Sequence, residues 1–244
     1  MNIKKHLPNA VTALNLFCGC IASLAFLQHE NELGILFVIG GLIFDFLDGF
    51  VARALKVQSE IGKQLDSLAD MITFGFVPGV IMYIALSKTS PSYISDSFEL
   101  IFSNLKYLGF SITVFSAIRL AKFNIDDRQT SSFVGLPTPA NTILILTIPL
   151  VWIFSEEDSS ATIVVQNQIS LLCLTLISSY LLIAELSLLS LKFKNFSWKD
   201  NKEKYILLIS SVFLLWKFSF LAGLFIILLY LIISIIHNIT KAQK

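Results

Sequence analysis

Four aspartates and an arginine stand at the ends of two apolar segments, where unpaired charge is costly. The run is Asp45-Phe46-Leu47-Asp48-Gly49-Phe50-Val51-Ala52-Arg53, followed by Gly62, Asp66 and Asp70. Ionisable side chains at membrane depth are functional candidates by default. Asp45 and Asp48 are three residues apart and Asp66 and Asp70 four apart, so each pair shares a helix face. A turn around 56–60 makes the two helices antiparallel neighbours, and the acidic faces then meet. Four facing carboxylates repel one another unless a cation lies between them. Oxygen ligands favour Mg²⁺ or Mn²⁺, with Ca²⁺ also suited, over zinc, and no histidine or cysteine stands nearby. Gly49 and Ala52 leave room for a bulky group against the backbone, and Arg53 is a fixed cation suited to phosphate. Together these residues describe a diphosphate site with a divalent metal. The plainer alternative is a salt bridge at a helix end, which accounts for one Asp–Arg pair but not for the whole spacing.

The elements that must hold these residues are membrane helices. Of the 244 residues 55% are hydrophobic and only 14% charged, where a soluble domain carries about a quarter charged. The apolar residues also come in blocks of about 20, the length of a bilayer crossing. Eight spans are expected, at 10–28, 33–54, 67–87, 100–121, 137–155, 168–190, 204–217 and 218–239. The last two are either a hairpin or one bent segment, so six or seven spans would also fit. With the N-terminus inside, fifteen of the eighteen Lys and Arg residues fall on the cytoplasmic side, among them Lys4, Lys5, Arg128, Lys192, Lys194, Lys199 and Lys244. Only Lys88, Lys106 and Lys217 fall outside, a strong positive-inside bias. Two charged or polar loops are expected, Ser87–Phe98 and Lys192–Lys204. The fold class is therefore an all-α polytopic membrane bundle.

The remaining polar features are ordinary. Net charge is +1, which provides no general field for nucleic acid. Cys18, Cys20 and Cys173 form no CxxC pair and read as small buried hydrophobes. His6, His29 and His237 lie at the ends of apolar blocks and carry no expected chemistry. The basic start and the apolar run from Ala10 to Leu27 resemble a signal peptide, but Asn9, Thr12, Asn15 and Asn31 favour a retained first helix.

At the aspartate run the sequence resembles the CDP-alcohol phosphatidyltransferase family. The pattern D-x2-D-G-x2-A-R-x8-G-x3-D-x3-D is filled at every fixed position by Asp45, Asp48, Gly49, Ala52, Arg53, Gly62, Asp66 and Asp70. Four further runs are similar to the prokaryotic-type phosphatidylserine synthase branch. They are Leu7–Thr12 with Asn15–Gly19, Gly62–Asp70 continuing to Phe74–Pro78, Ile118–Asn124, and Phe133–Ala140. Lys122 departs mildly from that branch, standing where arginine is usual and keeping the charge.

The resemblance implies a six-helix core, commonly homodimeric, over residues 1–190. Residues 191–244 would add a basic cytoplasmic loop and two more helices. It implies an enzyme of phospholipid biosynthesis in which the hydroxyl of L-serine attacks the lipid-side phosphorus of CDP-diacylglycerol and CMP leaves. Asp45, Asp48, Asp66 and Asp70 would hold the metal, and Asp70 would be the general base. Gly49, Ala52, Arg53 and Gly62 would bind CDP-diacylglycerol, with Asn9 and Thr12 as further nucleotide candidates. Arg119 and Lys122 would meet the serine carboxylate, although they read equally well as positive-inside anchors. The expected setting is a prokaryotic plasma membrane, with the site facing the cytoplasm and membrane lipid around it. Other acceptors used in the family, such as glycerol 3-phosphate, inositol phosphate or amino alcohols, remain alternatives. An ion transporter using the aspartates would leave Arg53, Gly49 and Gly62 without a role. A structural scaffold would make Asp48→Asn and Asp70→Asn silent.

Overall fold

A computed structural model describes residues 6–57, 59–89, 104–125, 133–189, 197–198 and 201–242. Most of the two expected polar loops, together with Lys4, Lys5, Arg128, Lys192, Lys194, Lys199 and Lys244, lies outside the described residues. Among the described residues the chain is helical apart from one short strand pair. Helix α1 spans Leu7–Leu27 and α2 spans Asn31–Leu55. Helix α3, Glu60–Asp70, runs through a π-helical turn, Met71–Phe76, into α4, Val77–Lys88. A 3₁₀ turn, Leu105–Phe110, leads into α5, Ser111–Ile125. Then come α6 (Thr138–Ile145), α7 (Thr147–Phe154), α8 (Ser160–Gln166), α9 (Gln168–Ile183), α10 (Lys202–Phe218) and α11 (Ala222–Ala242). Strands β1 (Phe133–Val134) and β2 (Ser187–Leu188) pair antiparallel, Phe133 opposite Leu188.

By length and apolar character, five runs among the described residues can cross a membrane, or six if α8 and α9, bent by 78°, form one broken span. The protein is an integral membrane protein. Thr138–Phe154 is a shorter apolar helix, at the place of the expected fifth span. One qualifying run, Lys202–Thr240, doubles back on itself. His237 Nδ1 lies 3.3 Å from Glu203 Oε1, whereas 34 residues of straight helix would separate them by about 50 Å. Ser219 makes the reversal with φ 46. The last two apolar blocks are therefore a hairpin.

Small residues let the helices approach, as lipid-embedded packing requires. A Cβ on Gly34 would lie 2.7 Å from the ring of Phe26, and one on Gly19 would strike Thr73. The core joins Phe26, Val38, Ile81, Met82, Ile112 and Leu182. Large apolar side chains such as Phe17, Leu36, Phe46 and Trp216 face outward, where lipid is the solvent. Cys18 is buried as expected, but Cys20 and Cys173 face outward. This corrects the expectation that all three are buried, since an apolar surface is no penalty in a bilayer.

The π-helical turn has an identifiable cause. Pro78 has no N–H to donate to the carbonyl of Phe74 four residues earlier, and its ring crowds that carbonyl. The hydroxyl of Thr142 reaches Phe74 O at 3.0 Å, sharing its one hydrogen with Thr138 O at 2.9 Å. Thr113 donates to Gly75 O, and Thr73 to Asn15 O, each at 3.0 Å. Three threonines thus pin the widened turn directly after Asp70 to α1, α5 and α6. Thr142→Val is expected to destabilise the protein by about 1–3 kcal/mol, the cost of orphaning a buried acceptor. Thermal unfolding in detergent measures this, and an unchanged midpoint would show that Phe74 O is satisfied without Thr142.

Candidate active site

The acidic site is built from the end of α2 and the whole of α3. Helix α2 stops at Lys56, whose left-handed φ of 54 turns the chain, with Val57 N donating to Ala52 O at 3.0 Å. Ser59 then caps α3, its Oγ accepting from Gly62 N at 3.0 Å, the ordinary N-cap bond of a helix start. This short connection makes α2 and α3 antiparallel neighbours. Carboxylate oxygens of Asp45, Asp48 and Asp66 come within 4.8 Å of one another, with Asp48 buried and the other two half-buried. Asp70 stands beside this triad, within electrostatic reach of all three.

Helix α1 supplies the supports. Asn9, Thr12 and Asn15 recur every three residues and form one polar stripe. Asn9 Oδ1 lies so near Gly62 that an added Cβ there would sit 3.0 Å from it. Thr12 Oγ1 donates to Asp48 Oδ2 at 2.6 Å, with Pro8 O at 3.1 Å as the weaker acceptor. Asn15 Nδ2 donates to Asp70 Oδ1 at 3.3 Å. The expected nucleotide candidate Thr12 thus faces an aspartate. Asn15 was not singled out for the site, although its place in the three-residue stripe was a usable signal.

The cations divide. Arg53 is exposed, and its guanidinium lies over Gly49, where an added Cβ would be 3.2 Å from Nη1. Ala52 is half-buried on the same turn. Arg119 is 7% exposed, stacks over Phe123, and its Nε has no hydrogen-bond partner among the described residues. It lies within electrostatic reach of Asp70. Lys122 is exposed at the end of α5 and is not drawn inward. Lys63 Nζ donates to Asn124 O, and Asn124 Nδ2 to Ser67 Oγ, each at 2.9 Å. These two bonds tie the end of α5, which carries Arg119, to the helix that carries Asp66 and Asp70. They span 57 residues or more of sequence, so no local pattern announces them.

An all-oxygen triad of anions suits a hard divalent cation better than a soft one. Asp45, Asp48 and Asp66 fit such an ion on donor chemistry. The Thr12 bond would fix the orientation of Asp48 as such a ligand, as outer partners of metal ligands do. Thr12→Val is expected to weaken metal affinity about tenfold. Calorimetric titration with Mn²⁺ measures this, and unchanged affinity would remove Thr12 from the site's support.

A membrane bundle with a carboxylate triad, a neighbouring guanidinium and small residues at one end defines a protein that handles a charged group at the lipid boundary. The profile described as CDP-alcohol phosphatidyltransferase matches residues 5–188, and the chain belongs to that family, whose members depend in general on divalent metal. It is also similar to proteins named CDP-diacylglycerol–serine O-phosphatidyltransferase. That of Bacillus subtilis (strain 168) is 34% identical over 134 residues, covering 55% of this chain and 70% of the relative. That of Helicobacter pylori (strain 26695) is 35% identical over 141 residues, covering 57% and 55%. That of Methanocaldococcus jannaschii is 34% identical over 137 residues, covering 56% of each. The chain thus spans little more than half the length of the last two relatives.

Proposed function

We propose that the protein is a phosphatidylserine synthase, transferring the phosphatidyl group of CDP-diacylglycerol to L-serine and releasing CMP. The observation that carries this reading is the Asp45–Asp48–Asp66 triad with Asp70 and the buried Arg119 beside it, in a chain similar to enzymes of that name. A divalent ion held by Asp45, Asp48 and Asp66, Mg²⁺ or Mn²⁺ with Ca²⁺ also suited, would neutralise diphosphate charge. Arg53, over Gly49, binds the diphosphate, and Gly49 and Ala52 keep the backbone open to the nucleotide. Asn9 and Gly62 flank the same mouth. Asp70 accepts the proton of the serine hydroxyl. Its Oδ1 accepts from Asn15 Nδ2 at 3.3 Å, which orients the carboxyl. The serine oxygen bonds to the lipid-side phosphorus as the bond from that phosphorus to the CMP oxygen breaks. The proton then passes from Asp70 to water.

Arg119 is the cation for the serine carboxylate. Its orphaned Nε supports this, since a buried guanidinium N–H without an acceptor is costly. Lys122, exposed at the membrane edge, attracts the anionic substrates. Residues 1–190 form the catalytic membrane domain and 191–244 an addition, a division supported by a family match that ends at residue 188. The protein works as a homodimer in a prokaryotic plasma membrane, with the site toward the cytoplasm, where serine arrives from water and the lipid nucleotide from the bilayer.

CMP release from CDP-diacylglycerol by purified protein tests the reading. Serine, glycerol 3-phosphate, inositol phosphate and no acceptor run in parallel, with and without chelator. Serine-dependent release that the chelator abolishes is expected. Release with another acceptor alone would overturn the serine assignment and leave the family intact.

A further inference from the structure

Four side-chain atoms on α5 and α6 are buried without a hydrogen-bond partner among the described residues: Ser116 Oγ, Arg119 Nε, Thr138 Oγ1 and Asn141 Nδ2. Ser116, Thr138 and Asn141 are wholly buried. Both helices close on the π-helical turn. A Cβ on Gly75 would lie 3.0 Å from Ser116 Cβ and 3.5 Å from its Oγ, and Thr113, one turn earlier on α5, donates to Gly75 O at 3.0 Å. Ser116 and Arg119 are three residues apart and share a face of α5. On α6 the Thr142 hydroxyl reaches both Phe74 O and Thr138 O. That contact seats the turn carrying Thr138 and Asn141 against the same π-helical turn. Ser178 on α9 donates to Asn141 Oδ1 at 2.6 Å, which fixes the amide and leaves only Nδ2 over. The Ser111 and Ser179 hydroxyls, 3.0 Å apart, tie α9 to α5. The four atoms therefore belong to one layer of the bundle, built on the turn that directly follows Asp70. Their chemistry is one-sided. A guanidinium N–H and an amide NH₂ can only donate, and each hydroxyl has a hydrogen to give. A buried donor left unmade costs about 1–3 kcal/mol, so four in one layer call for an acceptor that the folded chain does not supply. Water would satisfy the hydroxyls, but a buried guanidinium calls for an anion. A carboxylate only accepts, through about four lone-pair sites, and is the complement of this set.

We propose that Ser116, Thr138 and Asn141 are specificity-determining residues that, together with Arg119, bind the carboxylate of an amino-acid acceptor. The proposal rests on the phosphatidylserine synthase reading and extends it from one cation to a donor set on two helices. An alcohol without a carboxylate leaves these donors unpaired, and a site built to hydrogen-bond a group strongly rejects the analogue that lacks it. Asp70 immediately precedes the turn on which the layer is built, so the base and the donor set stand on consecutive turns, as a substrate as short as serine requires.

Ser116→Ala and Thr138→Val each remove one orphaned hydroxyl and keep the packing nearly unchanged. Deleting a buried polar group that binds nothing is neutral or stabilising, so thermal unfolding distinguishes a ligand site from a packing role. Full-length protein is assayed for the serine KM, the CDP-diacylglycerol KM and the thermal midpoint without serine. Each variant is expected to raise the serine KM about tenfold, the scale of a lost hydrogen bond to a charged group. The KM for CDP-diacylglycerol should stay within about twofold, and the midpoint should not fall. An unchanged serine KM in either variant would overturn the proposal and leave the hydroxyls to water. A lowered midpoint with both KM values raised together would overturn it as well, since that is the mark of lost packing. Wild-type protein that releases CMP only with an acceptor lacking a carboxylate would sink the serine reading and the donor set together. An unchanged serine KM in the variants of a serine-using wild type would sink the donor set alone.

Discussion

Asp70→Asn is expected to lower serine-dependent CMP release by about a thousandfold, with KM for CDP-diacylglycerol little changed. The amide is nearly isosteric with the carboxylate, and its carbonyl oxygen can still accept the bond from Asn15 Nδ2. Helix α3 and the π-helical turn that follows it are therefore preserved. What is lost is the ability to take a proton from the acceptor hydroxyl, a contribution of about 10²–10⁴ in rate. Steady-state CMP release measures the effect, and circular dichroism in the same detergent checks the fold. A loss below about tenfold would place the base elsewhere and leave Asp70 as a neighbour of the triad.

Asp48→Asn should be as damaging, by another route. Asp48 is the buried member of the triad and the one oriented by Thr12 at 2.6 Å. Removing its charge leaves Asp45 and Asp66 to hold a divalent ion with one anion fewer. Activity at the metal concentration that saturates the wild type should fall at least about a hundredfold, since losing an outer partner alone costs about 10–100-fold. Part of the loss should return as metal is raised. Mn²⁺ binding followed by electron paramagnetic resonance reads affinity without turnover. Wild-type affinity in the variant would mean that the metal sits elsewhere. The two variants separate the proposed roles: Asp48→Asn shifts the metal titration, while Asp70→Asn lowers turnover at every metal concentration.

Much of this protein can be read in its sequence because the bilayer imposes strict rules. Apolar blocks of crossing length must be helices, since no other open element satisfies its backbone in lipid. The aspartates stand out because lipid makes charge costly, and their i,i+3 and i,i+4 spacing assigns each pair to one face. The residues of the acidic site are thus legible as a set, and so is the family. Their division is not. That Asp45, Asp48 and Asp66 form the close triad while Asp70 stands beside it depends on how α2 and α3 pack. The stripe of Asn9, Thr12 and Asn15 was visible as periodicity, but its target was not, because 36 and 55 residues separate Thr12 from Asp48 and Asn15 from Asp70.

Other features belong to the tertiary structure alone. Pro78 signals a disturbed helix, yet only packing brings Thr142 to the carbonyl that Pro78 leaves free. Arg119 and Lys122 look equivalent along α5; one is buried and the other exposed because α9, the π-helical turn and α4 pack against only one side of that helix. The hairpin itself was undecided between a bend and a reversal until the approach of His237 to Glu203. Local spacing determined which residues share a helix face and which helices must lie in lipid. Tertiary packing decided which faces meet, because such contacts join residues far apart in the chain through bonds that leave no periodic trace in it.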